Sequence, residues 1–334
     1  MTEFDTIVDR LRTAGKILFV THARPDGDGI GSGSAMTISA LLAGKEAMFL
    51  IPDALPETYA FLPPAPPASA EDFNRLAQWA DLIVIVDTSV PAQLTGLDFS
   101  AEWIKAKTVA VDHHVTSGDI ASVLWTDPTA SAAGIMAGEL IKALNWPMDE
   151  RCAESLSAAV LSDTGWLRFS NTDARSLRAL ADWTLLGFQP DRLYRKLYQN
   201  DRPTRIRLAA RALSSLELLE GDRIAVMTLR RQDFQQIGAS ADETENLVNE
   251  ALRISSVVIA MLLVEQDGQT RVSLRSREEA NVAQIAAQFG GGGHARAAGL
   301  RSSDDPDSLK TKLLGACAAP VVTWGRPSRA SRRA

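Results

Sequence analysis

Short apolar stretches alternate with helix-forming stretches through the first 125 residues of the chain. Strands are predicted at KILFVT, EAMFLI, DLIVIV and KTVAV, and helices at residues 29–44 and at EDFNRLAQWA. Strands that are apolar at every position and separated by helices are typical of a parallel sheet covered on both faces. We therefore predict an N-terminal α/β domain.

The middle of the chain, from about residue 130 to 220, is predicted to be helical. Its amphipathic stretches are TASAAGIMAGELIKALNW, DERCAESLSAAVLSDTGWL and DARSLRALADWTLLG, and RPTRIRLAARALSSLELLEG predicts a long connecting helix that ends at Gly221. A second α/β region follows, with strands RIAVMTL, SVVIAMLLVEQ and TRVSLRS and helices at residues 241–253 and NVAQIAAQF.

These patterns predict a chain in four parts, with an active site in the cleft between two domains. The parts are an α/β domain over 1–195, a helical linker over 196–220, a smaller α/β domain over 221–320 and a basic, disordered tail over 321–334.

Composition and charge exclude several classes of protein. The net charge is −6 and the pI is near 5.4, so no long nucleic acid is expected as a partner, because such proteins carry extended basic surfaces. No apolar run approaches the roughly 20 residues of a membrane-spanning helix, and the N-terminus does not read as a signal peptide. Two cysteines form neither a disulfide framework nor a metal motif. A cytoplasmic protein is expected, and a homodimer is compatible with the sequence.

Basic residues are concentrated locally. Residues 168–211 contain ten Lys or Arg against four Asp. This segment is either a solvated helical face or a surface that attracts a small anionic substrate.

Histidine and aspartate side chains follow directly on the predicted strands. His22, Asp87 and the Asp-His-His triplet at 112–114 each lie where an apolar run ends. The carboxyl ends of parallel strands share one edge of a sheet, and ligands bind in the crevice there. Three separate segments are therefore predicted to converge on one site.

The stretch THARPDGDGIGSG, residues 21–33, carries two carboxylates among alternating glycines. The glycine spacing does not match a dinucleotide-binding loop. Imidazole and carboxylate together suit divalent metals, and Asp26 and Asp28 alternate so that they can face two neighbouring ions. The glycines would let the backbone fold tightly around those ions. The alternative is an Asp-Gly turn with a helix cap at Asp28 or Ser32.

Further candidate ligands lie downstream. Asp87 is either a carboxylate that bridges two metals or a cap for the segment after it. The triplet at 112–114 adds one ligand and one spare imidazole, and Asp163 stands at a predicted helix end. Five or more ligands from separate segments imply a two-metal centre, with ions on the order of 3.5–4 Å apart that clamp a phosphoryl group.

A candidate anion site lies near the C-terminus. Gly290–Gly293 can present consecutive backbone amides, and His294 adds a donor. Arg275, on a predicted strand, can bind a phosphate with two hydrogen bonds. The alternatives are a flexible linker and an ordinary exposed arginine.

The stretches THARPDGDGIGS, IVDTS, VDHH and LSDTG resemble the four motifs of the DHH phosphoesterase superfamily. VSLRS and NVAQIAAQFGGGGHARAAG resemble its associated C-terminal domain, in the subfamily of oligoribonucleases and adenosine 3',5'-bisphosphate phosphatases. The resemblance spans roughly residues 15–300. It departs from the family at Asn246, where a glycine is common, and at Trp166-Leu167, where a smaller residue and Phe are common.

The resemblance implies two manganese ions, with magnesium or cobalt as alternatives. One ion would be held by His22 and Asp26, the other by Asp28, His113 and Asp163, and Asp87 would bridge them. His114 would act with Asp87 in catalysis without binding a metal. The implied substrate-binding residues are Arg275, Ser276, Gly291, Gly292, Gly293 and His294.

The resemblance also implies a function: degradation of very short RNA to mononucleotides and dephosphorylation of adenosine 3',5'-bisphosphate. Two alternatives stay open. One is a phosphodiesterase for cyclic or linear dinucleotides. The other is a nucleic-acid-binding module without catalysis.

Overall fold

A computed structural model describes residues 2–115, 118–266, 268–277 and 280–322. The chain divides into two compact units, Met1–Asn200 and Asp201–Ala334. From residue 323 onward, the predicted basic tail lies outside the described residues. The proposed domain boundaries at 195 and 220 stay predictions. In the described part of the chain, no helix is long and apolar enough to cross a membrane.

The first unit contains a five-stranded sheet in which all strands are parallel, in the order β2-β1-β3-β4-β5. The strands are β1 Lys16–Val20, β2 Glu46–Leu50, β3 Leu82–Val86, β4 Thr108–Asp112 and β5 Val123–Thr126. The predicted parallel sheet is confirmed. The edge strand β5 was not predicted, because its four residues are only half-buried and carry a weak apolar signal.

Eight helices belong to the described part of this unit. They are α1 Glu3–Thr13, α2 Gly27–Leu42, α3 Phe73–Trp79, α4 Glu102–Ala106, α5 Ala133–Leu144, α6 Glu150–Asp163, α7 Ala174–Thr184 and α8 Pro190–Tyr198. Alternate strand residues point to opposite faces. Phe19 and Val84 pack in one apolar core with α1, α2, α5 and α6, whereas Leu18 and Ile83 pack in another with α3 and α4. Both faces of the sheet are therefore buried.

The alternating glycines lie inside helix α2, which begins at Gly27, two residues before the predicted start. A β-carbon at Gly27 or Gly31 would collide with atoms of α6, and one at Gly29 or Gly33 would collide with Thr21 or Phe49. The glycines thus allow α2 to approach α6 and the sheet closely. The sequence suggested that the glycines let the backbone fold tightly around ions, whereas in the structure they allow close packing of a helix.

The second unit contains a six-stranded sheet in the order β10-β11-β9-β8-β7-β6. Strands β7 and β8 are parallel and the other pairs are antiparallel. The strands are β6 Glu217–Leu219, β7 Ile224–Leu229, β8 Ile259–Gln266, β9 Gln269–Ser276, β10 Gly292–His294 and β11 Ala297–Ser302. The helices are α9 Pro203–Ser214, α10 Arg231–Ile237, α11 Val282–Ala287 and α12 Pro306–Val322.

Two predicted helices differ in the structure. The connecting helix ends at Ser214, because Glu217–Leu219 pairs with β7 instead of continuing it. The helix predicted over 241–253 is two 3₁₀ segments, Asp242–Thr244 and Leu247–Arg253, with Asn246 between them in a left-handed conformation. Helix α10 was not predicted.

Candidate metal centre

Two strand ends place imidazoles on either side of Asp87. His22 lies two residues beyond the end of β1, Asp87 follows β3 and His113 follows β4. The Nε2 atom of His22 is 3.3 Å from Asp87 Oδ2, and that of His113 is 3.4 Å from Asp87 Oδ1. One carboxylate thus faces both rings, one oxygen to each.

Helix α2 adds two carboxylates at its N-terminus. Asp26 caps the helix, since its Oδ1 accepts the amides of Asp28 and Gly29, and this oxygen lies 3.7 Å from His22 Nε2. Asp28, which is buried, has Oδ2 at 3.5 Å from His113 Nε2. The helix cap is therefore Asp26 rather than the alternatives Asp28 and Ser32.

A second helix terminus fixes Asp28. Its carboxylate accepts the backbone amides of Ala133, at 2.6 Å, and Gly134, at 2.9 Å, which are the first residues of α5. Amides at a helix N-terminus stabilise a negative charge. The N-terminus of α5 therefore holds the Asp28 carboxylate in place.

Asp163, the last residue of α6, completes the cluster. Its Oδ2 lies 3.9 Å from His113 Nε2, and the side-chain amide of Asn171 donates to its backbone carbonyl at 3.2 Å. The turn that follows contains three consecutive left-handed residues, Gly165, Trp166 and Leu167. Non-glycine residues rarely adopt this conformation, so backbone strain accumulates beside a candidate ligand.

The donor atoms form three overlapping groups among the described residues, with all atoms of a group within 4.8 Å of one another. The groups are His22/Asp26/Asp87, Asp28/His113/Asp163 and Asp87/His113/His114. The first two match the sets that the resemblance assigns to two separate ions. Their ligand roles stay a prediction.

The donor set fits divalent cations. Asp87 Oδ1 is buried and accepts no hydrogen bond in the part of the chain that the structure describes, and Asp87 itself has a left-handed backbone (φ 65°). A buried acceptor without a donor costs about 1–3 kcal/mol, so a cation bound beside this oxygen would stabilise it. Carboxylates together with imidazoles suit manganese and related metals.

Backbone carbonyls orient the two imidazoles toward the carboxylates. His22 Nδ1 donates to the carbonyl of Ala23 at 2.9 Å, and His113 Nδ1 donates to that of Ala130 at 3.2 Å. Each ring therefore presents Nε2 to the cluster, as metal-binding histidines commonly do. Sequence analysis could not find these carbonyls, because any residue supplies one.

His114 has a different partner. Its Nδ1 donates to Asp112 Oδ1 at 2.8 Å, while Ser89 donates to the other oxygen of Asp112 at 2.7 Å. The side chain of His114 is 47% exposed and lies 3.9 Å from Asp87. Asp112 was assigned no role from the sequence, although it precedes the two histidines. The structure identifies it as a residue that positions His114.

The electrostatics of the cluster reveal an excess of negative charge. Burial, together with the charge of Asp87, raises the pKa of Asp28 well above its usual value and that of Asp163 to about 6. Burial opposes protonation of His22, but Asp26 and Asp87 outweigh it and raise its pKa to about 11. Closely spaced carboxylates favour any added positive charge. The site is suited to cations.

The predicted substrate-binding residues all lie in the second unit. Arg275 and Ser276 end β9, and the Ser276 hydroxyl donates to the Ala280 carbonyl at 2.7 Å. The amides of Gly290 and Gly291 donate to carbonyls of α11, so the run does not offer four free amides. Residues Gly292–His294 form β10, which excludes a flexible linker.

Many of the Lys and Arg residues over 168–211 form ion pairs with carboxylates. Arg175 bonds Asp127 and Glu139, Lys196 bonds Glu154, and Arg195 bonds Asp191. These pairs favour a solvated helical face over a surface that attracts substrate.

Two family models match the chain. The DHH family N-terminal domain matches residues 16–161, and the DHHA1 domain matches residues 221–316. Together the two matches cover well over half of the sequence. The chain belongs to the DHH phosphoesterase family. The predicted family is confirmed, and with it the class of a metal-dependent phosphoesterase.

Full-length relatives agree with this assignment. The chain is 28% identical over 312 residues to the bifunctional oligoribonuclease and PAP phosphatase NrnA of Thermus thermophilus, covering 93% of this chain and 92% of that protein. An exopolyphosphatase-related protein of Bacteroides fragilis superposes with a TM-score of 0.85 at 22% identity, over 96% of this chain and 97% of that one. The exonuclease RecJ bound to manganese has a TM-score of 0.55 at 13% identity, over 99% and 97%. The two solved structures share the fold.

Proposed function

We propose that this DHH-family chain is a manganese-dependent phosphohydrolase that degrades very short RNA to mononucleotides and dephosphorylates adenosine 3',5'-bisphosphate. The observation that carries the proposal is the buried Asp87 carboxylate, which lies between two imidazoles and whose Oδ1 accepts no hydrogen bond from the described residues. The name of the Thermus thermophilus relative, matched over nearly its whole length, supports the choice of substrates.

The proposal assigns the donor groups to two ions. His22, Asp26 and Asp87 would hold one, and Asp28, His113 and Asp163 would hold the other with Asp87 between them. When bound, such ions lower the pKa of a water molecule and neutralise charge on a phosphoryl group. Asp28 would keep its geometry on substrate binding, because two backbone amides of α5 hold it.

His114 would contact the scissile phosphate directly. Asp112 binds its Nδ1, so Nε2 is the atom left to donate to a phosphoryl or leaving-group oxygen. The hydrogen bond to Asp112 also raises the pKa of His114, which favours the imidazolium form as a donor. A positioned acid of this kind typically contributes a factor of about 10²–10⁴ to the rate.

The second unit would bind the part of the substrate that does not react. We assign phosphate contacts to Arg275 and His294, with Ser276 and Gly291–Gly293 shaping the surface beside them. Binding energy from such remote contacts positions the scissile group and raises turnover. A cytoplasmic location, in keeping with two buried free cysteines, is part of the proposal.

One assay tests the proposal. The protein is stripped with EDTA, supplied with manganese, magnesium or cobalt, and offered a dinucleotide, a pentanucleotide and adenosine 3',5'-bisphosphate in parallel. We expect release of mononucleotides and phosphate that depends on added metal and is fastest with manganese. Absence of turnover of both the pentanucleotide and the bisphosphate with every metal rejects the proposal. Preferential hydrolysis of a cyclic dinucleotide supports the phosphodiesterase alternative instead.

A further inference from the structure

One side of the second sheet is open where β9, β11 and β10 lie next to one another. Residues paired across neighbouring strands point to the same face. The register aligns three rows on this side: Arg275–Ala297–His294, Ser273–Gly299–Gly292 and Arg271–Arg301. These residues are half-buried or exposed, whereas Val272, Leu274, Ala298 and Leu300 on the opposite side are buried with α11 and α12. We call the open side the β9–β11 face.

The three rows differ in chemistry. The first carries the guanidinium of Arg275 and the imidazole of His294. The middle row, Ser273, Gly299 and Gly292, carries one hydroxyl and otherwise no side chain, and the space beside Gly292 is open. The third row carries the guanidinium groups of Arg271 and Arg301. A flat strip of small residues therefore separates two cationic rows.

The arginines of this face differ from most arginines of the second unit in their partners. Within the described residues, no salt bridge joins a carboxylate to Arg271, Arg275 or Arg301. Five other arginines of the second unit form ion pairs, namely Arg202, Arg205, Arg211, Arg230 and Arg253, and Arg277 and Arg296 donate to backbone carbonyls. The β9–β11 face therefore carries guanidinium charges to which an external anion can bind.

Arg271 gives a second, independent indication. Its Nη2 donates to the hydroxyl of Thr244, while its Nε is buried and has no hydrogen-bond partner among the described residues. A buried N–H group without a hydrogen-bond acceptor is unfavourable. Here the N–H group is part of a charged guanidinium. No carboxylate or carbonyl of the described residues accepts from this Nε, so the guanidinium group as a whole keeps an unneutralised charge that an external phosphate can satisfy.

We propose that Arg271 and Arg301 form a second phosphate subsite, which binds the backbone of single-stranded oligonucleotides longer than two residues. The inference rests on the proposed function, which places the substrate's non-reacting phosphate at Arg275 and His294. Arg271 and Arg275 are four residues apart on one strand, or about 13 Å. This distance exceeds the span of one nucleotide. Dinucleotides and nucleoside bisphosphates would therefore contact only the row that contains Arg275, whereas longer chains would also contact the row of Arg271 and Arg301.

The test compares two lengths of substrate. Labelled 5'-phosphorylated oligoadenylates of two and five residues are titrated with the full-length chain in EDTA, and KM for both is measured with manganese. For the double variant R271Q/R301Q, we expect Kd and KM for the pentanucleotide to rise about tenfold or more, with dinucleotide values within twofold. The slope of log K against log salt should also become shallower by about 1.4 for the pentanucleotide, because each single-strand phosphate that a protein neutralises adds roughly 0.7 to that slope.

Two further variants separate charge from structure. R271K keeps the positive charge and should retain pentanucleotide affinity within about threefold, even if its bond to Thr244 is lost. R231Q removes an exposed charge on α10, which packs over β7 and β8, and should change the affinity for neither length. If R271K loses as much pentanucleotide affinity as a single variant R271Q measured beside it, Arg271 has a structural role and the proposal is overturned.

The outcomes also separate this inference from the proposed function. If the wild-type chain binds the pentanucleotide through these arginines but hydrolyses no oligonucleotide, the subsite stands and the proposed function fails. If the double variant binds and hydrolyses both lengths normally, or loses both equally, the subsite is wrong while the proposed function stands.

Discussion

The two sheets of this protein present side chains in different ways. The first is parallel and buried on both faces, so its polar groups collect at the edge where the strands end. The second is mostly antiparallel and has one side that is partly open, where its polar groups spread along the strands. An edge brings atoms within a few ångströms, as a metal site requires. A face spaces charges over the length of a strand, as recognition of an extended anion requires.

The two regions also differ in sign. The edge holds more carboxylates than its imidazoles balance, and burial together with these neighbouring charges raises the pKa of Asp28 and Asp163. The β9–β11 face holds guanidinium groups that form no ion pairs among the described residues. Each region carries an excess of one charge, and each is suited to a ligand of the opposite charge. Substitutions in the first should therefore abolish chemistry, whereas substitutions in the second should alter the choice of substrate.

The largest effect is expected at Asp87. Asp87→Asn keeps the shape and tolerates the left-handed backbone, but it removes the charge between the two imidazoles. Turnover of every substrate should fall by ~10³-fold or more. Urea unfolding of the metal-free variant should remain cooperative, which separates a loss of chemistry from a loss of folding. Asp9→Asn, on the exposed side of α1, is the matched control. Activity within tenfold of wild type would remove Asp87 from its bridging role.

The two adjacent imidazoles provide the next comparison within the edge. His113 lies within 3.9 Å of three carboxylates, whereas His114 is bonded to Asp112. His113→Ala should therefore lower the manganese content, measured by mass spectrometry of purified protein. His114→Ala should keep the metal and reduce turnover by about 10²-fold. Equal metal loss in both variants would show that the roles are misassigned.

Substitutions at Arg275 and His294 test directly whether the β9–β11 face has a different role from the edge of the first sheet. Arg275→Ala and His294→Ala should each lower kcat/KM for a dinucleotide by about 10²-fold, because each removes a charge-assisted hydrogen bond to phosphate. An activated aryl phosphodiester, which lacks the remote phosphate, should be affected much less. Proportional losses on both substrates would mean that the second unit does not bind a remote group.

A smaller effect is expected at Asp112, which touches the reaction only through His114. Asp112→Asn should reduce turnover by about 10-fold, within the 10–100-fold range typical of residues that orient an active-site group. It should leave the manganese content unchanged and alter the pH profile, because the charge that raises the pKa of His114 is gone. A normal pH profile with reduced turnover would indicate a purely structural role.

The smallest effect is expected in the second unit at Asn246, which adopts a left-handed conformation (φ 61°). Asn246→Ala should lower the free energy of unfolding by about 1 kcal/mol, since a β-carbon without a polar group is disfavoured there. Asn246→Gly should stay within about 0.5 kcal/mol. Urea titration of both variants measures the difference, and equal stabilities would contradict the backbone explanation.

The sequence was most informative where a strand ends abruptly in a polar residue. Val86 is followed at once by Asp87, so the residue that joins the two imidazoles could be predicted along with its neighbours at the sheet edge. The second unit was harder. Glu217–Leu219 has helix-forming composition, yet pairing with β7 overrides that local preference. Likewise, the contact between Asp112 and His114 depends on backbone geometry that no periodicity encodes.

The glycines of α2 have a consequence for the order in which the protein assembles. Each glycine lowers helix stability by about 0.8–1.0 kcal/mol relative to alanine, so Gly27, Gly29, Gly31 and Gly33 leave α2 a poor helix by itself. Its support comes from the sheet and from α6, whose residues Glu150–Asp163 are synthesised more than a hundred residues later. A nascent chain therefore carries Asp26 and Asp28 for most of the first unit's synthesis without holding them in place. The candidate cation site can therefore be complete only after α6, which also supplies Asp163, has been synthesised.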